Sequence, residues 1–138
     1  MADPALEAAY RATDYRIEHA PNGPFVIRVG ECSADLEALL FDEVVFEWAY
    51  LTACNPGSVQ LPGQENCTRT IELREVLVAA GWKTYYEISV GREGTWREPS
   101  FLVLDIPESA AVELANRFGQ NAIVAGRLGE PARLVWVR

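Results

Sequence analysis

The sequence predicts an α+β fold: a single domain with a mixed, largely antiparallel sheet, helices packed on it, and the element order αββαβαββαββ. Three observations carry this prediction. Runs with a two-residue period follow one another in pairs, as strands of hairpins do. Runs with a helical period separate these pairs, and the glycine-rich first turn of a doubly wound nucleotide fold is missing. The 138 residues have the usual size of one domain, which we expect over residues 1–138.

The first helix and the first two strands are predicted from a change of period. Apolar residues recur at helical spacing over residues 5–13, and a two-residue alternation then runs through residues 15–19 and again through residues 25–29. Asn22-Gly23 lies between the two alternating runs and favours a hairpin turn, because both residues tolerate positive φ. The prolines that flank this pair indicate a looser loop than a two-residue turn.

A central strand is predicted after the second helix. Ser33 is suited to cap a helix over residues 34–41. Residues 44–54 are apolar at both odd and even positions, which is typical of a strand buried on both faces. Glu47 is the charged exception in this run.

The next predicted elements are a helix and a pair of strands. The helix spans residues 65–80 and ends at Gly81, a residue type that closes helices in the left-handed conformation. Residues 82–90 and 100–106 then form an antiparallel pair around the polar tip at residues 91–96.

The last predicted elements are one helix and two strands. Asp105 and Glu108 resemble a capping box, with Pro107 in the first turn of a helix that ends at Gly119. Short strands over residues 122–125 and 133–137 complete the sheet.

The composition predicts a soluble protein of a reducing compartment. The net charge is −8 and the pI is near 4.6, which disfavours binding to a nucleic-acid backbone. No run reaches the roughly 18 apolar residues of a membrane span, and residues 1–7 lack the features of a signal peptide. Three cysteines without a C-x-x-C pair and one histidine predict reduced thiols, a cytoplasmic location, and no metal or cofactor.

Polar residues gather at the ends of the predicted elements, where a rigid scaffold commonly presents binding groups. None belongs to a familiar nucleotide-binding, metalloprotease or serine-hydrolase signature. The candidates are Thr52, Asn55, Asn66, Arg69, Glu98, Ser100, Gln120 and Asn121.

Several candidates have a specific chemical interpretation. Asn66 and Arg69 are three positions apart in the first turn of a predicted helix, where an anionic group would meet a guanidinium and free backbone N–H groups. Glu98 can act as a general base if burial beside Trp96 raises its pKa. It can equally pair with an arginine as a loop clamp. Trp96 can stack on a ligand or fold back on the sheet.

The same residues have structural interpretations, which stay open. Asn55 precedes Pro56, so it is typical of a turn and is expected in an extended conformation. Asn66 can cap its helix, and Gln120-Asn121 can bind the carbonyls that are freed after a helix end. Cys54 is either a nucleophile, with His19 as the one histidine that could activate it, or a small apolar filler.

Five separated motifs resemble those of a known bacterial family. They are Tyr10-Arg11-Ala12-Thr13-Asp14-Tyr15, Thr52-Ala53-Cys54-Asn55-Pro56, Glu65-Asn66, Trp96-Arg97-Glu98-Pro99-Ser100-Phe101 and Arg117-Phe118-Gly119-Gln120-Asn121-Ala122. The family is domain of unknown function 3293, and the resemblance runs from about Tyr10 to the C-terminus. It implies a small stand-alone bacterial protein and implies no activity. The polar residues that it carries over are Thr52, Asn55, Asn66, Glu98, Ser100, Gln120 and Asn121.

Two functional hypotheses follow. The first is a small-molecule or nucleotide-type site, with or without enzymatic activity, where the loops converge. In it the amides of Asn55, Asn66 and Gln120 would make directional hydrogen bonds. Arg69 would hold an anionic group, Glu98 would be the acid or base, and Trp96 would close one side. The alternative is a non-catalytic module whose acidic surface meets a basic protein partner. Convergence of the polar residues on one concave pocket favours the first, and separate bonding of each to its own loop favours the second.

Overall fold

The computed structural model describes residues 3–138 and confirms both the α+β class and the predicted order of elements. The helices are α1 (Pro4–Arg11), α2 (Ala34–Glu43), α3 (Gly63–Ala80) and α4 (Glu108–Arg117), with a single 3₁₀ turn at Pro56–Ser58. The strands are β1 (Asp14–Ile17), β2 (Phe25–Ile27), β3 (Glu47–Leu51), β4 (Lys83–Val90), β5 (Arg97–Leu104), β6 (Ala122–Arg127) and β7 (Arg133–Trp136).

The strands form one seven-stranded sheet in the order β2-β1-β4-β5-β3-β6-β7. The ladders between neighbouring strands are antiparallel. The strand β3 lies between β5 and β6, with Trp48 opposite Leu104 on one side and Gly126 on the other. The predicted central position of this strand is therefore confirmed.

The predicted extent of the central strand, residues 44–54, was wrong at both ends, since β3 spans Glu47–Leu51. Helix α2 continues to Glu43, and Val44 closes it in the left-handed conformation, with φ 57° and ψ 45°. Val44 N donates to Leu40 O and Phe41 O, so the chain is still turning where the sequence pattern predicted a strand. Val44 and Phe46 are 79% and 59% exposed, because this apolar run belongs to a helix end and not to the sheet.

Two helix starts also differ from the prediction. Helix α3 begins at Gly63, so Asn66 and Arg69 lie beyond its first positions and neither caps it. The predicted capping box at α4 was wrong, because the residue at its N-cap is Pro107, which makes no side-chain cap. Asp105 has φ 64°, and its N–H donates to Glu47 O across the sheet, so it ends β5 and does not start the helix.

Each face of the sheet carries its own apolar core, so the chain is built in three layers. Helix α2 covers one face through Leu36, Leu39 and Leu40, which pack with Trp48 and Tyr50. Helices α3 and α4 cover the opposite face. Their contributions there are Leu73, Leu77, Ala111 and Ala115, packed against Ala49, Leu51, Phe101 and Val103.

The tryptophans divide between core and edge. Trp48 is 2% exposed, as expected within a central strand that is buried on both faces. Trp136 is half-buried on the edge strand β7, where its ring meets Tyr10 edge-on at 5.9 Å. Trp82 follows the end of α3 and packs against the core beneath it. Within residues 3–138 we find no helix that is both long enough and apolar enough to cross a membrane.

The loop between β1 and β2 is held by a buried carboxylate. Glu87 of β4 is fully buried and accepts hydrogen bonds from the backbone N–H groups of Glu18, His19 and Ala20 at 2.7–3.1 Å. His19 Nδ1 lies 3.2 Å from the same carboxylate. Since these donors occupy Glu87, the carboxylate explains how the loose loop is ordered, and we assign it a structural role.

Candidate functional site

A cavity of about 540 Å³ lies between α1, the tip of the β4–β5 hairpin and the chain that follows β3. One wall is apolar and belongs to α1, and the opposite wall is the hairpin tip. The floor is polar. The α1 wall consists of Ala5, Leu6, Ala8, Ala9 and Tyr10 of the helix, with Ala12 and Thr13 directly after it. The hairpin wall consists of Gly91, Arg92, Glu93, Thr95 and Trp96, and the floor of Asn55, Ser58, Glu98 and Gln120.

Helix α1 turns its apolar side towards this cavity and not into a core. Asp3 caps its N-terminus through Oδ1, which accepts from Ala5 N at 2.8 Å, and Pro4 occupies the first turn, where its missing N–H costs nothing. None of its residues is buried. Its C-terminal end is fixed by Tyr15 Oη, which donates to Tyr10 O at 3.1 Å. The alanine side of α1 is therefore a wall without a packing partner among residues 3–138.

Asn55 is the hub of the polar floor. Its side-chain Nδ2 donates to Glu98 Oε2 at 2.8 Å, and its Oδ1 accepts from Leu61 N and Asn66 Nδ2 at 2.9 and 2.8 Å. Its own N–H donates to Asn66 Oδ1 at 2.9 Å. These bonds fix the orientation of both amides and join three segments that are distant in sequence.

The backbone of Asn55 contradicts the expected extended conformation. It is left-handed, with φ 50° and ψ 60°, even though Pro56 follows. Local sterics disfavour this state, but asparagine tolerates it better than most residues, and the hydrogen bonds to Asn66, Glu98 and Leu61 stabilise it. Strain of this kind persists only where the surroundings over-determine it, and it collects at functional sites.

Glu98 supplies a carboxyl group to the floor. Burial raises its pKa above the usual value, while the Asn55 amide and the Trp96 indole favour the charged form and limit the rise. Glu98 has no ion-pair partner among residues 3–138. A carboxylate offers about four lone-pair sites, so Glu98 keeps acceptor capacity on its cavity side.

Gln120 supplies a second open acceptor. Its side chain is almost fully buried, at 5% exposure, and its Nε2 donates to Cys54 O at 2.9 Å and Phe118 O at 3.3 Å. Two carbonyls on one side require the amide nitrogen there, so Oε1 points the other way. No hydrogen bond to Oε1 comes from any residue between 3 and 138. Within residues 3–138 no fully buried side-chain nitrogen or oxygen lacks a partner, so Oε1 is accessible from the cavity that Gln120 lines. An accessible amide oxygen without a partner is a position where a ligand N–H can bind.

A glycine makes the turn that presents Gln120. Gly119 has φ 73°, and a Cβ there would lie 2.8 Å from Pro56 Cβ. The left-handed conformation and the close approach to Pro56 both exclude a larger residue. The end of α4 can therefore pass close to the turn after β3.

Arg69 lies behind the floor and not in the cavity. Its Nε donates to Ala53 O at 2.6 Å, and a second guanidinium nitrogen donates to Phe118 O. It thus clamps the end of β3 to the end of α4. We drop the predicted role of Arg69 as a holder of an anionic group, because the guanidinium is committed to carbonyls. Asn66 is likewise outside the cavity and acts through Asn55.

The three other predicted residues also hold the scaffold. Thr52 Oγ1 donates to Pro99 O at 2.9 Å and accepts from Cys54 N at 3.1 Å. Ser100 is buried, and its Oγ donates to Glu98 O at 2.9 Å. Asn121 Nδ2 donates to Ser58 Oγ at 2.9 Å, which places that hydroxyl beside the cavity. Of the nine predicted site residues, those that line the cavity are Asn55, Trp96, Glu98 and Gln120.

Sequence reasoning missed the six other polar residues of the cavity, which are Tyr10, Thr13, Ser58, Arg92, Glu93 and Thr95. Tyr10 belongs to a resembling motif, but its role is visible only once α1 is placed. Burial raises the pKa of Tyr10, the Glu98 carboxylate adds to the rise, and the hydroxyl of Ser58 opposes it. Ser58 gave no signal in the sequence, although its φ of 64° marks a second strained residue in the same loop. Arg92, at the hairpin tip, is the one arginine or lysine among the described lining residues.

Cys54 has the environment of a packing residue. It is fully buried, with Sγ 3.5 Å from Thr70 Oγ1 and 3.7 Å from Pro99 O. Burial raises the pKa of its thiol, which disfavours the thiolate that a nucleophile needs. His19, the base that the sequence offered, is bound to Glu87. Among residues 3–138 no three His, Cys, Asp or Glu side chains are grouped to hold a metal ion.

The segment that contains the floor residues of the cavity matches a known protein family. A family model described as "Protein of unknown function (DUF3293)" matches residues 51–123, which is more than half of the chain. The chain belongs to this family. All nine predicted site residues lie within the DUF3293 match, whereas α1 and Tyr10 lie outside it. No curated protein and no solved structure matches the chain.

The raised pKa of Glu98 predicts a stability effect with a defined sign. The folded state holds the Glu98 proton more tightly than the unfolded state, so stability falls as pH rises from the usual glutamate pKa of 4.5 through the raised value. Glu98→Gln removes this loss and still offers an oxygen to Asn55 Nδ2. The variant should therefore melt at a higher temperature than the parent at pH 7, and the gain should shrink towards pH 4.

Thermal melts of both proteins between pH 4 and 8 check this prediction. Glu113→Gln, on the exposed side of α4, makes the same change in net charge away from the cavity and should give no such trend. A gain that does not depend on pH would contradict the raised pKa.

Proposed function

We propose that this protein binds a small molecule in the cavity between α1 and the β4–β5 hairpin, with Glu98 as its proton donor or acceptor. The observation that carries the proposal is the open polar floor: the Gln120 amide oxygen and the Glu98 carboxylate both face the cavity without a full set of partners. Acceptor atoms that a scaffold leaves open towards a cavity are positions where a ligand can donate hydrogen bonds. A volume of about 540 Å³ is typical of small-molecule sites.

The polar network favours this proposal over a protein-interaction module. In such a module each polar side chain would bond to its own loop. Here Asn55 connects the turn after β3 to Glu98 of β5 and to Asn66 of α3. Asn55 is also held in a strained conformation. A network of this kind positions a carboxyl group accurately, as binding and catalysis require.

Proton transfer is the chemistry that this floor supports. A carboxyl with a raised pKa is closer to the working pH of an acid or base catalyst than an ordinary glutamate is. The hydroxyls of Tyr10 and Ser58 line the same cavity and can bind the atom that gains or loses the proton. Trp96, 37% exposed, offers a ring face on which a flat ligand can stack. A nucleotide-type ligand would place its phosphate at Arg92, at the mouth.

The proposal includes a cytoplasmic location and a bacterial origin. The three cysteines are free, which supports the reducing environment of a cytoplasm. The resemblance supports a bacterial origin.

A cavity-filling variant tests the ligand site. Ala9 is exposed on the α1 wall, so Ala9→Trp should fill the cavity and leave the polar floor unchanged. A fragment library screened by ligand-observed NMR should yield compounds that bind the parent and bind Ala9→Trp at least tenfold more weakly. A tenfold loss corresponds to about 1.4 kcal/mol. Ala79→Trp, on an exposed position of α3 outside the cavity, is the matched control and should bind like the parent. Fragments that bind all three proteins equally would refute the cavity as the site.

A further inference from the structure

The two open side chains of the floor, Glu98 and Gln120, present acceptors to a ligand. The donors of the Gln120 amide are used by Cys54 O and Phe118 O, so only its oxygen is open. Asn55 Nδ2 already donates to Glu98 Oε2. An ionised Glu98 accepts only. A ligand that satisfies Glu98 and Gln120 must therefore bring hydrogen-bond donors, either N–H or O–H, and a carboxylate or carbonyl placed at these two groups would face oxygen atoms.

The charge of the floor also favours a ligand that carries hydrogen-bond donors. Glu98 is partly buried, and the groups that favour its charged form, the Asn55 amide and the Trp96 indole, are neutral; it has no arginine, lysine or histidine partner among residues 3–138. Arg69 is the cation that the sequence suggested for this site, but it donates to the carbonyls of Ala53 and Phe118. An unpaired carboxylate in a partly dry site is costly, and a cation beside it offsets part of that cost.

The walls define the body of the ligand. The alanines of α1 and Leu6 form an apolar surface, and Trp96 stands on the opposite wall. Tryptophan also attracts cations to its ring face. A compact apolar or aromatic body therefore fits between the walls, with its polar end directed to the floor.

We propose that the ligand is a cation: an apolar or flat aromatic body that ends in an ammonium or amidinium group, which donates to Glu98 and to Gln120 Oε1. This inference rests on the proposed function, since it concerns the same cavity. Charge attraction at Glu98 supplies selectivity for a cation over a neutral or anionic isostere, and Gln120 Oε1 selects for a second N–H.

Three isosteric probes test this inference. Benzamidine is a cation at neutral pH, benzamide is neutral and benzoate is an anion, and all three have the same flat ring. The dissociation constants of the parent protein should increase in that order, with benzamidine at least tenfold tighter than benzoate. In Glu98→Gln the preference for benzamidine over benzamide should disappear. Glu113→Gln has the same net charge as Glu98→Gln and should keep the preference of the parent.

A pH titration gives a second readout that needs no variant. Protonation of Glu98 removes the charge that attracts the cation, so benzamidine should bind more weakly as pH falls through the raised pKa, whereas benzamide should change little. Tightest binding of benzoate, or a cation preference that Glu98→Gln leaves intact, would overturn the inference. Neutral or anionic fragments that are sensitive to Ala9→Trp, with no binding of benzamidine, would overturn it too and leave the proposed function standing. Fragments that bind Ala9→Trp as tightly as the parent would refute both the inference and the proposed function.

Discussion

Replacing Asn55 with alanine is expected to destabilise the protein by about 3–5 kcal/mol. The change leaves three groups without their partner: Leu61 N–H, the Asn66 amide and Glu98 Oε2. Each unsatisfied buried group costs about 1–3 kcal/mol, less where water from the cavity replaces the lost bond. Alanine in the left-handed conformation adds about 1–2 kcal/mol. Chemical denaturation of the variant and the parent measures the difference.

Two further variants separate the contributions at this position. Asn55→Gly loses the same hydrogen bonds but accepts the left-handed backbone, so it should be about 1 kcal/mol more stable than Asn55→Ala. Asn55→Asp keeps the acceptor for Leu61 and Asn66 and puts a second carboxylate against Glu98. Its destabilisation should therefore grow as pH rises, because two adjacent carboxylates repel. A loss below about 1 kcal/mol for Asn55→Ala would show that the hub does not hold the floor.

The second large effect is expected in the central strand. Leu51 is 2% exposed at the end of β3, opposite Phe101 of β5, and packs in the core beneath α3 and α4. Leu51→Ala should cost about 2–5 kcal/mol, the usual loss for a buried leucine. Ile71→Ala is the control, because Ile71 is 52% exposed on α3 and should cost less than about 0.5 kcal/mol. An equally small cost at Leu51 would be inconsistent with a buried central strand.

The order of elements could be read from the sequence because it depends on local periodicity. Alternation marks β1 and β2, a continuous apolar run marks β3, and the turns at Gly81 and Gly119 follow from their conformational freedom. The prediction of a strand at residues 44–46 was wrong for a physical reason. An apolar run predicts burial in general, and it cannot distinguish a buried strand from an exposed helix end.

The site could be predicted only in part. Asn55, Trp96, Glu98 and Gln120 were found because polar groups at element ends are commonly presented to ligands. The sequence could not foresee the left-handed Asn55, because bonds from α3 and β5 impose it against the local preference. Nor could it foresee the direction of Arg69, which is set by two carbonyls from distant segments.

The apolar wall of the cavity, formed by α1, could not be recognised from the sequence. Alanines at helical spacing predict an ordinary amphipathic helix, and whether they face a core or a cavity depends on what the tertiary structure places opposite them. Here the opposite side is the tip of the β4–β5 hairpin. A wall of this kind becomes visible only when the sheet brings that hairpin across from α1.

The most direct test of the cavity as the ligand site is an NMR titration of alanine methyl groups with a bound fragment or with benzamidine. We expect chemical-shift changes at the methyls that line the cavity and none at those in the core between the sheet and α4. The lining methyls are those of Ala5, Ala8, Ala9 and Ala12, and the core methyls are those of Ala49, Ala111, Ala115 and Ala125. Saturable shifts confined to the α1 methyls would support the account. Binding that leaves the α1 methyls unmoved would contradict it, because the ligand would then lie elsewhere on the protein.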